Sequence, residues 1–288
     1  MIRHILVPAS GTDGDQAAFA AALAVARLDG GHLQFLHAAL DVSATIAAMA
    51  GDGLGGGSFL GSAIDDLEAE AKAVQAKARQ AVADFCATAG IALDAPDAPA
   101  GQISAAFSAA TGDAANIVAE DGRFADLIVT RRPAGEQMET GVMEAALVAT
   151  GRPMLLADSA ATPVLSGVVV IAWKDRPEAA RAVAAAMPFL ERASRVVILS
   201  VEEDDAAPLA SCEKLQRSLR WHNPATEVIR LPRGERPAVD VLLEEAARLG
   251  ASLLVMGGYS HSRLRQLVFG GFTRSVLTRA TVPVLMSH

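Results

Sequence analysis

The chain has 288 residues, 51% of them hydrophobic, and a formal net charge of −8 at pH 7. That length suits two domains of about 140 residues each, and the acidity argues against nucleic acid as the main partner. No apolar run reaches the roughly 20 residues that a membrane span needs, and residues 1–8 read as a strand rather than a secretory leader, so the expectation is a cytoplasmic protein with no membrane partner.

In chain order, residues 4–8 (His-Ile-Leu-Val-Pro) form a short apolar strand, followed by Ala-Ser-Gly-Thr-Asp and an Ala-rich helix to about Asp29. Thr12 or Asp13 can cap this helix. A second strand covers residues 32–38. Residues 42–62 are an insert rich in Gly, Ala and Ser, too glycine-rich for regular helix and favoured as a mobile connector over a lid. A long helix then runs over about 62–89, with Ser62 and Asp65 resembling a capping box. Residues 125–130 (Ala-Asp-Leu-Ile-Val-Thr) are a buried strand, and residues after Pro153 form a closing strand. The segment 157–166 is the linker.

The pattern then repeats. Residues 167–172 form a strand, and Trp-Lys-Asp-Arg-Pro leads into an Ala-rich helix to about Arg192, with Pro177 suited to its first turn. Residues 195–201 form the second strand, 251–256 (Ala-Ser-Leu-Leu-Val-Met) match 125–130, and a closing strand follows Pro283. Continuous apolar strands alternating with helices imply a parallel sheet covered on both faces. The fold class is therefore α/β: two tandem units, residues 1–158 and 166–288, each a five-stranded parallel sheet, arranged as a pseudo-dimer of two separate sheets. The closing strands are edges that can pair with each other. Cys86 and Cys212 lie far apart and are expected as reduced thiols.

Charge is uneven. Residues 1–165 hold 9 Lys/Arg against 20 Asp/Glu, and residues 166–288 hold 16 against 13, so the second unit is the better host for an anionic ligand. Ligands in such sheets bind beyond the strands' carboxyl ends, where strand order reverses. There the second unit has Gly257 and Gly258 at the end of a strand, a basic loop carrying Ser260, Arg263 and Arg265, then Gly270 and Gly271 opening a helix at Phe272. Glycines admit close backbone approach, and a helix N-terminus favours phosphate. Thr273 can also cap that helix or contact phosphate, whereas a tight turn needing no ligand explains the first glycine pair equally well.

This layout resembles the C-terminal signature of the universal stress protein family, in which Gly, two residues, Gly, nine residues, Gly and then Ser or Thr wrap around ATP phosphates. The four positions read Gly257, Ser260, Gly270 and Gly271, so two match. The family aspartate after the first strand is Ser10 in the first unit and Lys174 in the second, with Asp175 one position along. The resemblance implies a stress-responsive regulatory or protective protein that binds ATP or another adenine nucleotide, with Mg admitted as a companion ion, in the second unit. The nucleotide-binding residues it implies are Ala172, Lys174, Val201, Met256, Gly257, Ser260, Arg263, Gly270, Gly271 and Phe272. Phosphates are expected near Gly257, Ser260, Gly270 and Gly271. No catalytic residue or metal ligand is assigned, and hydrolysis would be very slow at most. In the first unit Arg131 replaces the first glycine, and Arg131 and Arg132 either grip an anion or bridge to the acidic surface; that unit is read as structural. Self-association and an unidentified protein partner are the partner expectations. The alternative is a non-nucleotide interaction module acting through its dimer surface. Trp173 and Trp221 are read as packing residues, Trp173 also as a candidate wall against a ligand ring.

Overall fold

The computed structural model describes residues 1–51, 57–94, 101–132, 141–158, 163–202, 208–258 and 271–288, with side chains outside 48–63. The first unit runs β1 (His4–Pro8), α1 (Asp15–Asp29), β2 (Gly31–Ala39), α2 (Val42–Gly51), α3 (Gly57–Ala89), β3 (Ile103–Thr111), α4 (Ala114–Asp121), β4 (Leu127–Arg131), α5 (Gly141–Glu144), which continues as a π turn (Ala145–Ala149), and β5 (Met154–Ala157). The second runs β6 (Val168–Ala172), α6 (Pro177–Leu190), β7 (Arg195–Val201), α7 (Leu209–Leu219), β8 (Thr226–Leu231), α8 (Ala238–Arg248), β9 (Ala251–Gly257), α9 (Gly271–Arg279) and β10 (Val284–Ser287).

Strand order is β3-β2-β1-β4-β5 in the first unit and β8-β7-β6-β9-β10 in the second, all parallel within each unit. The closing strands then meet antiparallel, with Val284 opposite Leu156, Leu285 opposite Leu155 and Met286 opposite Met154. The two five-stranded units are those expected, and the edges that the sequence allowed to pair do so. The result is one continuous ten-stranded sheet, not two separate ones, because an apolar edge strand in each unit satisfies the other's unpaired backbone groups.

Alternation along the strands sorts the core into two layers. Ile5, Val7, Val169, Ile171, Leu253 and Val255 face one layer, packed under α1, α3, α6 and α7, while Leu6, Val170, Leu254 and Met256 face the other, under α4, α5, α8 and α9. Leu155 and Leu285 continue the first layer across the seam, and Met154, Leu156, Val284 and Met286 continue the second. The core is therefore unbroken from unit to unit.

Three local expectations are corrected. Residues Val42–Gly51 are helical, and α3 begins at Gly57; the Ala, Ile and Met of the insert's first part support a helix, its glycines being concentrated after residue 50. Ser62 consequently lies inside α3 and is no N-cap. At α1 the N-cap is Gly14, without a side-chain cap bond; neither Thr12 nor Asp13 serves, because the buried Asp15 carboxylate takes the Gly11 N–H instead (2.8 Å). Pro177 does open α6, where its missing N–H is no loss.

Candidate functional site

Strand order reverses between β1 and β4 in the first unit and between β6 and β9 in the second, which places one crevice at each switch point. The two crevices are built differently. In the first, Asp15 at the start of α1 is 1% exposed. Its Oδ1 accepts from Ser10 Oγ (2.8 Å) and its Oδ2 from the Gly11 N–H (2.8 Å), and Arg131 Nε stands 3.9 Å from Oδ1. A Cβ on Gly11 would lie 3.1 Å from Val74 O and 3.2 Å from Ala78 N, so α3 lies directly over the loop. The chain's own groups occupy this switch point.

Arg132 turns to the seam. It donates to Val276 O (3.3 Å), Leu277 O and Val282 O (3.4 Å). These are carbonyls in the last turns of α9 and just beyond it; Val276 O also accepts from the Ala280 N–H (3.0 Å), and Leu277 O is among the last four carbonyls that a helix end leaves to outside donors. Burial lowers the guanidinium pKa from its ordinary value, with Asp158 opposing. Of the two roles open to the arginine pair, both side chains serve internal ones: Arg131 beside Asp15, Arg132 between the units.

In the second crevice lies a cavity of about 150 Å³ lined by Ala172, Trp173, Lys174, Arg176, Glu178, Ala179, Leu199, Val201, Ala238, Leu242, Met256, Gly257, Phe272 and Thr273. It brings together six of the residues picked from sequence: Ala172, Lys174, Val201, Met256, Gly257 and Phe272. Gly271 opens α9, and a Cβ there would meet nothing within 4 Å. Ser260, Arg263 and Gly270 lie outside the described residues, as does Arg265. Asp175, weighed as a substitute carboxylate, is exposed and not part of the wall. Trp173 is buried, with its indole N–H donating to Ser211 Oγ (3.2 Å). Trp221, expected to pack, is 89% exposed; it falls in the turn after α7, beyond the helix's buried stripe.

The lining is mostly apolar, with Lys174, Arg176, Glu178 and Thr273 supplying its polar groups. Lys174 Nζ stands 5.9 Å from the centre of the Phe272 ring, a cation–π contact joining the loop after β6 to the first turn of α9. The first glycine pair has a packing explanation. A Cβ on Gly257 would fall 2.7 Å from Ala179 N and 2.9 Å from the Glu178 carbonyl carbon, because α6 begins against the end of β9. A Cβ on Gly258 would lie 2.8 Å from Leu147 of the first unit. Gly257 is needed whether or not a ligand is present, since backbone closes on it, whereas at Gly258 a shift of the Leu147 side chain would relieve the contact.

Sequence alone did not single out Glu178, Arg176, Leu199, Ala238 or Leu242. Glu178 carries the most consequence. It is 6% exposed, and its Oε2 is buried without a hydrogen-bond partner among the described residues. In sequence it reads as an ordinary acid complementing a helix dipole, and only the wall of the cavity distinguishes it.

Fold and site together define a tandem doubly wound α/β protein with one occupied and one open switch-point crevice. Residues 167–288 match the model of the universal stress protein family. That match spans the second unit and none of the first. Over nearly its whole length the chain also has the fold of a universal stress protein from Archaeoglobus fulgidus, with a TM-score of 0.70 at 17% identity, covering 98% of this chain and 97% of that one. A Pseudomonas aeruginosa protein assigned to the same family gives 0.59 at 17% identity, over 99% of this chain and 93% of that one. No curated protein matches the sequence. Among the described residues no helix is long and apolar enough to cross a membrane.

Proposed function

We propose that this is a stress-responsive regulatory or protective protein whose second unit binds ATP or another adenine nucleotide in the crevice between β6 and β9. The observation carrying this reading is the cavity itself, at the switch point, lined mostly by apolar side chains together with Lys174, Arg176 and the start of α9. A cavity of about 150 Å³ accommodates one ring-sized group, which suits a base or a ribose, with the remainder of the nucleotide lying over the rim. Among the described residues nothing lies within 4 Å of a Cβ at Gly271, and the N–H groups at the start of α9 are of the kind that favours phosphate. The residues present fit a nucleotide better than a resident metal. No cluster of three or more His, Cys, Asp or Glu side chains that could hold an ion occurs among the described residues, so Mg would be carried on the phosphates.

The alternative of an interaction module acting through a dimer surface is less well supported. The closing strands β5 and β10, the edges on which such a dimer would form, already pair with each other. Self-association would have to use another surface.

The test is identification of small molecules retained by the purified protein, by mass spectrometry, followed by calorimetry with ATP. Retained adenine nucleotide and saturable ATP binding are expected. Gly271→Ser, which restores the family hydroxyl at an open position, should tighten ATP several-fold. No retained nucleotide, and no heat of binding with millimolar ATP, would overturn the reading.

A further inference from the structure

The two units carry one device in two states. Each opens its first helix beside the switch point with a carboxylate in the first turn, Asp15 in α1 and Glu178 in α6. In the first unit the chain supplies the donors: Ser10 Oγ to one oxygen, the Gly11 N–H to the other, with Arg131 alongside. In the second unit the loop from Trp173 to Arg176 supplies none. Lys174 occupies the position of Ser10 and holds its ammonium toward the Phe272 ring, and the Arg176 N–H is used on Lys174 O (2.8 Å). Glu178 is left with a buried Oε2 in the wall of the cavity that has no hydrogen-bond partner among the described residues.

A buried carboxylate oxygen without a donor is costly. We infer that Glu178 is a ligand-contacting residue that accepts a hydrogen bond from a hydroxyl or amino group on the ligand, replacing the donors that Ser10 and Gly11 provide in the first unit. Rotation about the terminal torsion of a glutamate is soft, so the oxygen can turn into the cavity as the donor arrives. Resting on the nucleotide reading, this assigns the corner at Glu178 and Gly257 to the nucleoside, through a ribose hydroxyl or the adenine amino group. It also displaces phosphate from that corner. A Cβ on Gly257 would fall 2.8 Å from Glu178 Cγ, so a phosphate at Gly257 would stand against a carboxylate. The phosphates belong at the other end, toward Lys174 and the start of α9.

The experiment is calorimetry of the full chain with adenosine, ATP and inorganic triphosphate, on the wild type, Glu178→Met and Glu178→Gln. Met keeps the volume and removes the acceptor; Gln keeps an acceptor without the charge. The wild type should bind adenosine and ATP. Glu178→Met should weaken both at least tenfold while leaving triphosphate unchanged or tighter, with Glu178→Gln between. The unliganded Glu178→Met protein should also melt higher than the wild type, because a merely structural glutamate would give a lower midpoint. Wild-type affinity for adenosine and ATP in Glu178→Met would overturn the inference and leave the nucleotide reading standing. Wild-type protein that binds triphosphate as well as ATP, and no adenosine, would overturn it likewise. Failure of the wild type to bind any adenine compound would end both.

Discussion

Gly257→Ala separates packing from ligand approach at the most conspicuous glycine of the second unit. The new methyl would fall 2.7 Å from Ala179 N, 2.8 Å from Glu178 Cγ and 2.9 Å from the Glu178 carbonyl carbon, whereas ordinary contact begins near 3.4 Å. The start of α6 must therefore retreat from β9 by about 0.7 Å. Two of the three contacts are backbone, so no rotamer change relieves them. Overpacking of this kind costs about 1–3 kcal/mol, and at about 2 kcal/mol the thermal midpoint should fall by roughly 4–8 °C in a chain of this size. Gly271→Ala is the control, since its methyl meets nothing within 4 Å; it should be neutral or stabilise by up to about 1 kcal/mol. Urea and thermal unfolding of ligand-free protein measure both. A Gly257→Ala protein as stable as the wild type, and defective only in ligand binding, would refute the packing argument.

Arg132→Met removes the donors to Val276 O, Leu277 O and Val282 O. It should cost about 2 kcal/mol, partly offset by loss of a desolvated guanidinium, and should loosen α9 in amide exchange before the rest of the second unit. Asp94 takes the Phe107 N–H (2.8 Å), and that bond first, then Arg79, holds its pKa below the ordinary 3.8. Its stabilisation is present above the unfolded-state value and lost as pH falls through the folded one, so Asp94→Asn should flatten the acid side of the stability profile between about pH 5 and pH 2. Burial pushes the Cys86 thiol up to about 11 and also raises that of Cys212; with both side chains buried, a thiol reagent at pH 8 should modify neither until the protein unfolds.

The tandem fold was legible because its strongest signals are local and repeated: Leu-Ile-Val at 127–129 against Leu-Leu-Val at 253–255, and a proline before each closing strand. The crevice residues Ala172, Val201 and Met256 follow from the same signals, since each sits at the carboxyl end of a strand, where a switch point forms. Other features depend on contacts between segments remote in sequence. Gly257 is a glycine because of where α6 begins, and nothing in the run from 251 to 258 reports that. Glu178 looks like any acid in a first turn until its burial is known. Arg132 was one of two equivalent arginines, and only the placement of α9 selects it for the seam. Trp221 misled because aromatic character predicts burial on average, not at a given turn.

The antiparallel register of β5 against β10 has a consequence for how the protein behaves on dilution. Two separate copies joined by this ladder would part as their concentration fell, with an equilibrium set by mass action. Here both strands belong to one chain, and the local concentration of each about the other is fixed by the connecting segment. Formation of the ladder is a first-order event, so the second crevice keeps its companion unit, and the contacts of Gly258 with Leu147 and of Arg132 with α9, at any abundance the cell sets. A protein whose level rises and falls would thereby present the same site when scarce as when plentiful.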